Sequence, residues 1–405
     1  MKLGILGSDK LVTTTNALMH ELFAGALPDE VVIFAEDPPK TTFDRLSEAL
    51  LLLGLKPKIK YVVLGEDFSK WGEAFSEVDI VDVTPGRKIT ALIAASTTRG
   101  KVRYAYLKEE ARGYRVFGYV PLQQIKLIEL PEFKEVAMSA KHTVSAGEAT
   151  LDKEGLTAMY NLYTLSGQVN IRFGSLPTPA TLEELLQNKV TLTQEDQQYL
   201  HTCAKRAGYI QYEEEKEIAQ TQDTLTFDTN IYIELGERVL RKARKTHPLR
   251  SVYDELDRVS LNYNKRPTPD EAKFLLGMAD YTLIHGAPPP SLTKHSGDVG
   301  IIEEVMERKK HLETLTLVTL DQALAQRARV RGIRTIHPHT PRRAQGDVGE
   351  LLRTLAQYTD IQIYIGNEQV ASLKREDTNT LKVVALRPQH NYAQLVQTLQ
   401  KFIRQ

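Results

Sequence analysis

Four acidic residues between Leu225 and His337 have the types and the settings to bind a divalent cation. Asp228 follows the apolar run Leu225-Thr226-Phe227 and opens Asp228-Thr229-Asn230-Ile231-Tyr232. Glu255 lies in Ser251-Val252-Tyr253-Asp254-Glu255-Leu256, and Asp298 in Gly297-Asp298-Val299-Gly300-Ile301-Ile302. Asp321 ends Leu317-Val318-Thr319-Leu320-Asp321. Carboxylate oxygens are the donors that Mg²⁺ and Mn²⁺ prefer. A cation held by them lowers the pKa of a bound water and offsets charge on an attacked phosphate. Taken singly, each acid has a plainer role: Asp298 and Asp321 as helix N-caps, Asp228 at the start of a turn. Taken together in one short unit, they predict a shared acidic pocket.

The elements that must position them read as a parallel α/β unit. Asp228 and Asp321 fall at the carboxyl ends of predicted strands, where open α/β sheets bind ligands. On a helix, Glu255 shares a face with Val252 and Val259 and sits beside Leu256, while Asp254 and Asp257 fall off that face. Asp298 precedes Ile301 and Ile302 by three and four residues, and Asp321 precedes Leu324 and Ala325 likewise. An acid on the buried side of a helix is unfavourable unless it is paired or binds a cation. Thr319 and Asn230 are placed to orient a water or the carboxylates.

The order Asp-Thr-Asn after a first strand, Val-x-x-Glu-Leu on a helix, an Asp before an apolar helix, then Val-Thr-x-Asp-x-x-Leu resembles the PIN nuclease family. The run Asp321 to Ala328 followed by Gly332-Ile333-Arg334-Thr335-Ile336 is similar to that family's final helix and last strand. The resemblance covers about a third of the chain. It implies a metal-dependent endoribonuclease with Asp228, Glu255, Asp298 and Asp321 as metal ligands and Mg²⁺ or Mn²⁺ as cofactor. The stretch between Glu255 and Asp298 reads as a long insertion rich in proline (Pro267, Pro269, Pro288, Pro289, Pro290).

The chain has 405 residues, which suggests two to three domains at about 150 residues each. Hydrophobic residues make up 41% and charged residues 26%, enough apolar material for real cores. The formal net charge is +0, so any polyanion site must be a local patch. A single cysteine, Cys203, excludes an internal disulfide and fits a reducing cytoplasm. Met1 to Leu6 is too short for a signal segment and reads as a strand. No apolar run is long enough to span a bilayer, so no membrane partner is expected.

Residues 1–150 alternate strand and helix: Leu3 to Leu6, Val31 to Ala35, Tyr61 to Leu64 and Ile80 to Val83 as strands, with helices through Leu18 and Leu22 and over Phe43 to Leu55. Such alternation argues a parallel sheet covered on both faces. Two loops at strand ends carry possible chemistry. One is Gly7-Ser8-Asp9-Lys10, with Thr13, Thr14 and Thr15 behind it. The other is Thr84-Pro85-Gly86-Arg87-Lys88, which opens the helix Ile89 to Ser96. Arg87 and Lys88 sit at a helix N-terminus, where the dipole disfavours cations unless an anion is bound. Gly86 lets the backbone approach closely. A plain α/β core with Gly-rich turns explains these loops as well as a ligand site does. No GxGxxG follows the first strand and no Walker motif is present.

With this layout, Asp82-Val83-Thr84-Pro85-Gly86-Arg87-Lys88 resembles the Asp-x-Thr-x-Gly-x-Lys run of the CARF family, the Rossmann-like sensors of CRISPR-associated effectors. Pro85 stands where that family has Gly or Ser. The Ser8 loop is similar to its first motif. The resemblance covers about the first 130 residues and implies binding of a cyclic oligoadenylate such as cyclic tetra-adenylate. The ligand contacts would come from Gly7, Ser8, Asp9, Lys10, Thr13, Thr84, Pro85, Gly86, Arg87 and Lys88. A two-fold ring of phosphates fits across a two-fold axis, so a homodimer is implied. Asp9, Ser8 and Lys10 would be the suspects if the domain degrades its own ligand.

The expected architecture is therefore α/β: a CARF-like domain over 1–150, a helical connector over 151–224, a PIN-like parallel α/β domain over 225–345 and an extension over 346–405. In the connector, Leu151 to Leu165 reads helical, Thr181 caps Leu182 to Leu186, and a helix follows Thr193. Two short helices in this order suggest a winged-helix-like spacer. Arg238, Arg241 and Lys245 fall on one helical stripe, either a solvated face or a guide for RNA. Tyr253 and Tyr263 stack bases or pack the core. His337-Pro338-His339, His285 and His295 do not make a zinc spacing with one cysteine and read as surface. The extension reads as strands Ile361 to Ile365 and Leu381 to Ala385 and a helix Tyr392 to Ile403, without assigned chemistry.

The combined expectation is a cytoplasmic ribonuclease of antiviral defence, activated by cyclic oligoadenylate. Two rivals predict different behaviour. A toxin-like PIN nuclease with a protein-regulated N-terminal domain cuts equally with and without oligoadenylate. A non-enzymatic nucleotide-sensing regulator binds DNA in a salt-dependent way and takes no metal.

Overall fold

The computed structural model describes residues 1–37, 44–108, 113, 115–260, 267–312 and 314–404. Phe43 and Tyr263 lie outside these residues. The protein is a mixed α/β chain with a parallel-rich sheet. It divides into two compact units. The first holds residues 1–170, 362–373 and 382–405; the second holds 171–361 and 374–381.

The first unit is built on a seven-stranded sheet in the order β3-β2-β1-β4-β5-β6-β7. The strands are β1 (Lys2–Leu6), β2 (Glu30–Ala35), β3 (Lys58–Val63), β4 (Ile80–Asp82), β5 (Lys101–Leu107), β6 (Ile125–Leu130) and β7 (Lys134–Val136). The first five are parallel, and β6 and β7 close the edge antiparallel. The helices α1 (Leu11–Phe23), α2 (Asp44–Leu52), α3 (Phe68–Ser76) and α4 (Lys88–Thr97) alternate with the parallel strands. Apolar runs such as Val31 to Phe34 are buried on both faces, as a covered parallel sheet requires. The chain leaves β1 toward β2 and β3 on one side and returns to β4 and β5 on the other. The gap between β1 and β4 is thus a topological switch point.

The predicted helix over Leu151 to Leu165 begins later than expected. Glu148–Asp152 is a strand, and the helix is Lys153–Tyr163, started by Asp152, whose carboxylate accepts from Gly155 N–H at 2.9 Å. The strands Ile361–Ile365 and Thr380–Ala385 and the helix Tyr392–Ile403 form as expected, with Glu368–Arg375 as an additional strand between them. Most of the expected extension is built into the first unit. Tyr392, Leu395, Val396, Leu399 and Phe402 form a buried helical face there, and such a face needs a core to cover it.

The second unit centres on three parallel strands in the order Thr224–Phe227, Leu315–Val318, Arg334–Ile336. A parallel bridge between Leu225 and Thr246 extends the first of them. Leu225, Phe227, Leu315, Leu317, Val318 and Ile336 of these strands enter the core, with threonines between them. Glu255 sits on the helix Arg250–Ser260, Asp298 in the first turn of Gly297–Lys309, and Asp321 at the start of Gln322–Val330. The helix Arg250–Ser260 is started by a distant acid. The fully buried Glu304 accepts from the N–H groups of Arg250 and Ser251 at 2.8 and 2.9 Å.

Two expectations are corrected here. The proline-rich stretch is largely helical: Pro269–His285 is a 17-residue helix whose Ala272, Leu276 and Tyr281 enter the core, and Pro288, Pro289 and Pro290 follow it outside any element. Thr268 and Glu271 form a capping box around Pro269 at the first turn, a legible helix start. The helix Gln194–Arg206 is not part of a spacer. Its fully buried Arg206 donates to the carbonyls of Tyr232 and Ile233 and to the Asp280 carboxylate, tying it into the second unit. The helix Leu182–Leu186 carries the expected Thr181 cap, with Glu184 completing the box.

Candidate functional site

Asp228 is the buried centre of the acidic end of the three-stranded sheet. It follows the strand Thr224–Phe227 directly and occupies the N-cap position of Thr229–Glu234. Its Oδ2 accepts from the Thr319 hydroxyl at 2.7 Å and from the Asn230 amide at 3.2 Å. Burial pushes its carboxyl up to about 6; the Thr319 hydroxyl and the Thr229 N–H pull it down, and the charges of Glu255 and Asp298 push it further up. Three of the four expected acids therefore feel one another. Among the described residues, neither Asp228 nor Glu255 is paired with a lysine or arginine.

The four do not stand as a ready cage. Among the described residues no group of three or more His, Cys, Asp or Glu side chains is placed to hold a metal ion. Each outer acid has a local partner that draws it off. Glu255 accepts from the Thr229 hydroxyl at 2.8 Å, and Asp298 is held by Arg327 at 2.9 Å. Asp321 is an N-cap: its Oδ1 accepts from Leu324 N–H at 2.9 Å while its own N–H donates to the Thr319 hydroxyl oxygen at 2.9 Å. Asp228, Glu255 and Asp298 carry the oxygen donors that hard cations prefer, and the charges of the latter two add to the burial that raises Asp228.

The basic stripe is not assembled. The helix there spans only Glu237–Leu240, so Arg241 and Lys245 lie beyond its end. Arg238 is turned inward. Its guanidinium forms a two-pronged pair with the buried Glu215 at 2.6 and 3.1 Å, and Lys242 joins the same carboxylate at 2.6 Å. A charge buried this way is spoken for, which removes Arg238 as an RNA contact. Arg241 and Lys245 are exposed. Tyr253 packs against the core, with its ring 5.5 Å from that of Tyr281.

In the first unit, the two candidate ligand loops leave neighbouring strands, β1 and β4, at the switch point. Lys10 and Arg87 occupy the N-cap positions of α1 and α4, and neither helix has a side-chain cap. Lys88, Asp9 and Lys10 are exposed. Several of the expected contacts also hold the loops themselves. Ser8 N–H donates to the Thr14 hydroxyl at 3.1 Å, the Thr13 hydroxyl donates to Lys10 carbonyl at 2.7 Å, and Ala105 N–H donates to the Thr84 hydroxyl at 2.7 Å. Arg87 pairs with Glu36 at 2.9 Å. Gly86 answers to packing, since a Cβ there would lie 2.2 Å from the Leu6 side chain. Asp82, fully buried below the second loop, accepts from Thr84 N–H at 2.8 Å, and burial pushes its carboxyl up to about 6.

Of the histidines read as surface, His339 is exposed, whereas His285 is half-buried, 2.8 Å from the Tyr232 hydroxyl, and His337 is half-buried. The Nδ1 of His337 lies 2.9 Å from the Thr319 carbonyl, so the same buried threonine that holds Asp228 also holds this ring. No spacing rule signals this, because the link runs through a backbone carbonyl. Among the described residues no helix is long and apolar enough to cross a membrane.

No protein-family model matches the chain, and no curated protein matches it either. Solved structures to which it is similar include protein VC1899 from Vibrio cholerae, at 11% identity and a TM-score of 0.29 over 95% of this chain and 77% of that one. They also include Can2 from Sulfobacillus thermosulfidooxidans in complex with cyclic tetra-adenylate, at 12% identity and a TM-score of 0.27 over 88% of this chain and 98% of that one. Likenesses of this size fix neither fold nor function.

Proposed function

We propose that this chain is a ribonuclease with its cleavage site at Asp228, governed by an N-terminal unit that senses a cyclic oligoadenylate. The observation that carries the reading is Asp228 itself: a carboxylate buried at the carboxyl end of a parallel strand, held by Thr319 and Asn230, and crowded by Glu255 and Asp298 rather than neutralised. A structural acid in that position is normally paired. One left charged among like charges is poised for a cation or a proton.

Asp228, Glu255 and Asp298 would hold Mg²⁺ or Mn²⁺, which when bound supplies a water of lowered pKa and offsets phosphate charge. Thr319 and Asn230 keep the Asp228 carboxylate in one orientation. Thr229 does the same for Glu255, and Arg327 balances Asp298. Asp321 keeps its helix anchored beside Thr319. In the N-terminal unit, two uncapped helix starts with Lys10, Arg87 and Lys88 around them suit phosphate groups, as the resemblance to the CARF family implies. A cyclic oligoadenylate shared across a two-fold axis would make the working form a homodimer.

The test is cleavage of labelled single-stranded RNA in Mn²⁺, with and without cyclic tetra-adenylate. Cleavage should depend on the metal, rise with cyclic tetra-adenylate, and vanish in Asp228→Asn while that variant still binds cyclic tetra-adenylate. Cleavage by Asp228→Asn at the parental rate removes the site. Equal cleavage with and without cyclic tetra-adenylate removes the sensing role.

A further inference from the structure

The second unit contains a cavity of about 520 Å³ that borders the acidic site, with Asp321 and Asn230 in its lining. Asn230 belongs to both places, since its amide donates to Asp228 and its side chain lines the cavity. His337 and His339 form another part of the lining, with Lys205, Glu234 and Gln322. The two imidazole rings lie parallel, centroids 5.3 Å apart and planes within 3°. They are held from the backbone outward. His339 N–H and Thr340 N–H both donate to Glu214 at 3.2 Å, the Thr340 hydroxyl joins at 2.7 Å, and Pro338 and Pro341 fix the turn around them. The Thr319 carbonyl can only accept, so Nδ1 of His337 carries the hydrogen there.

A pair of parallel flat rings beside two side-chain amides, in a space of this size, matches one base, while Lys205 is already paired with Glu234 at 2.9 Å. Asn230 makes the cavity contiguous with the carboxylate at which phosphodiester cleavage is proposed. We propose that the cavity is a nucleotide subsite, in which one base of single-stranded RNA stacks on the His337–His339 pair and its phosphodiester extends toward Asp228. The inference rests on the ribonuclease reading and adds to it where the substrate lies. Stacking tolerates every base, so the subsite grips single strands and excludes a paired base that cannot leave its helix.

The experiment uses the full chain without metal and titrates uridine 5′-monophosphate into the parental protein, His339→Ala and His339→Phe by calorimetry. KM and kcat for single-stranded RNA are then measured with Mn²⁺. Loss of one stacking partner should weaken uridine 5′-monophosphate binding and raise KM by about tenfold in His339→Ala. The saturated rate kcat should stay within about twofold, because the stacked base is bound alike before and during reaction. His339→Phe should restore both values, since it keeps the ring and discards the imidazole. Affinity and KM unmoved by His339→Ala, equal loss in His339→Phe, or no uridine 5′-monophosphate binding by the parental protein each overturn the subsite. Asp228→Asn keeps the readings apart. Cleavage retained there removes the ribonuclease reading whatever His339 does, while nucleotide binding blind to His339 removes the subsite alone.

Discussion

Replacing Asp228 by asparagine should change stability in opposite directions at pH 7.5 and pH 4. The carboxyl is raised from its ordinary 3.8 to about 6, chiefly by burial. A carboxyl with a raised pKa binds its proton more tightly in the folded state. Its contribution to stability is therefore fully present below pH 3.8 and is lost as pH rises through about 6. At about 1.4 kcal/mol per pH unit, the ionised form makes the parental protein about 3 kcal/mol less stable at pH 7.5 than a neutral group there would. Asparagine removes that penalty and leaves one oxygen for the Thr319 hydroxyl and the Asn230 amide. Its amide nitrogen then faces the Thr229 N–H, which pulls the parental carboxyl down, and two facing donors cost about 1–2 kcal/mol.

The balance is a gain of about 1–2 kcal/mol at pH 7.5 and a loss of similar size at pH 4, where the parental carboxyl is largely protonated and carries no penalty. Calorimetric melts in EDTA should show Tm of the variant several degrees above the parental value at pH 7.5, at about 2–4 °C per kcal/mol, and below it at pH 4. Adding Mn²⁺ at pH 7.5 should raise the parental Tm and leave that of the variant where it was, because a ligand stabilises only the form that binds it. A variant less stable than the parent by the same amount at both pH values would refute the reasoning. Asp228 would then be an ordinary structural acid.

Three further outcomes follow from the geometry. Arg238→Ala should destabilise the second unit by about 3–5 kcal/mol in denaturant unfolding, because it takes the two-pronged partner from the buried Glu215, which keeps Lys242 and the Tyr212 N–H; parental stability with weakened RNA binding would return Arg238 to the RNA surface. Gly86→Ala should lower the stability of the first unit by about 1–3 kcal/mol and weaken cyclic tetra-adenylate binding, since the new Cβ lies 2.2 Å from the fully buried Leu6; an unchanged melting transition contradicts the packing. Thr319→Val removes a hydrogen bond that pulls the Asp228 carboxyl down, so the acid limb of the pH–rate profile should move to higher pH, with Thr319→Ser at the parental position; an acid limb unmoved by valine shows that Thr319 does not set Asp228.

Much of the first unit was legible because its signals are local. Strands such as Val31 to Ala35 are short apolar runs between turn residues; in the second unit the cap at Thr181 is equally local, three residues from the Glu184 N–H it binds. The helix Pro269–His285 was hidden by its prolines, although Thr268-Pro269-Asp270-Glu271 announces a helix start. Arg238 was misread because its partner Glu215 lies 23 residues earlier, in a run that looks like solvated surface. The Thr378 carbonyl that Arg353 binds was equally beyond any periodicity. Charge alone does not tell a buried pair from a surface stripe. What separates them is a partner that only the fold supplies.

The acids themselves show why a plain role and a functional one can belong to the same residue. A parallel sheet delivers each strand's carboxyl end to the start of the next helix, and helix starts favour acids for two reasons: unsatisfied N–H groups and the positive end of the dipole. Asp228 and Asp321 both sit at such positions, and Asp321 uses its carboxylate to bind Leu324 N–H. Capping is thus what makes acids affordable at this edge of the sheet. Asp228 then departs from the rule: in the N-cap position, it gives its Oδ2 to Thr319 and Asn230 and is crowded by Glu255 and Asp298. An acid serving only its helix would have no reason to gather two like charges. The charges beside Asp228, rather than the presence of any one aspartate, are what the proposed site rests on.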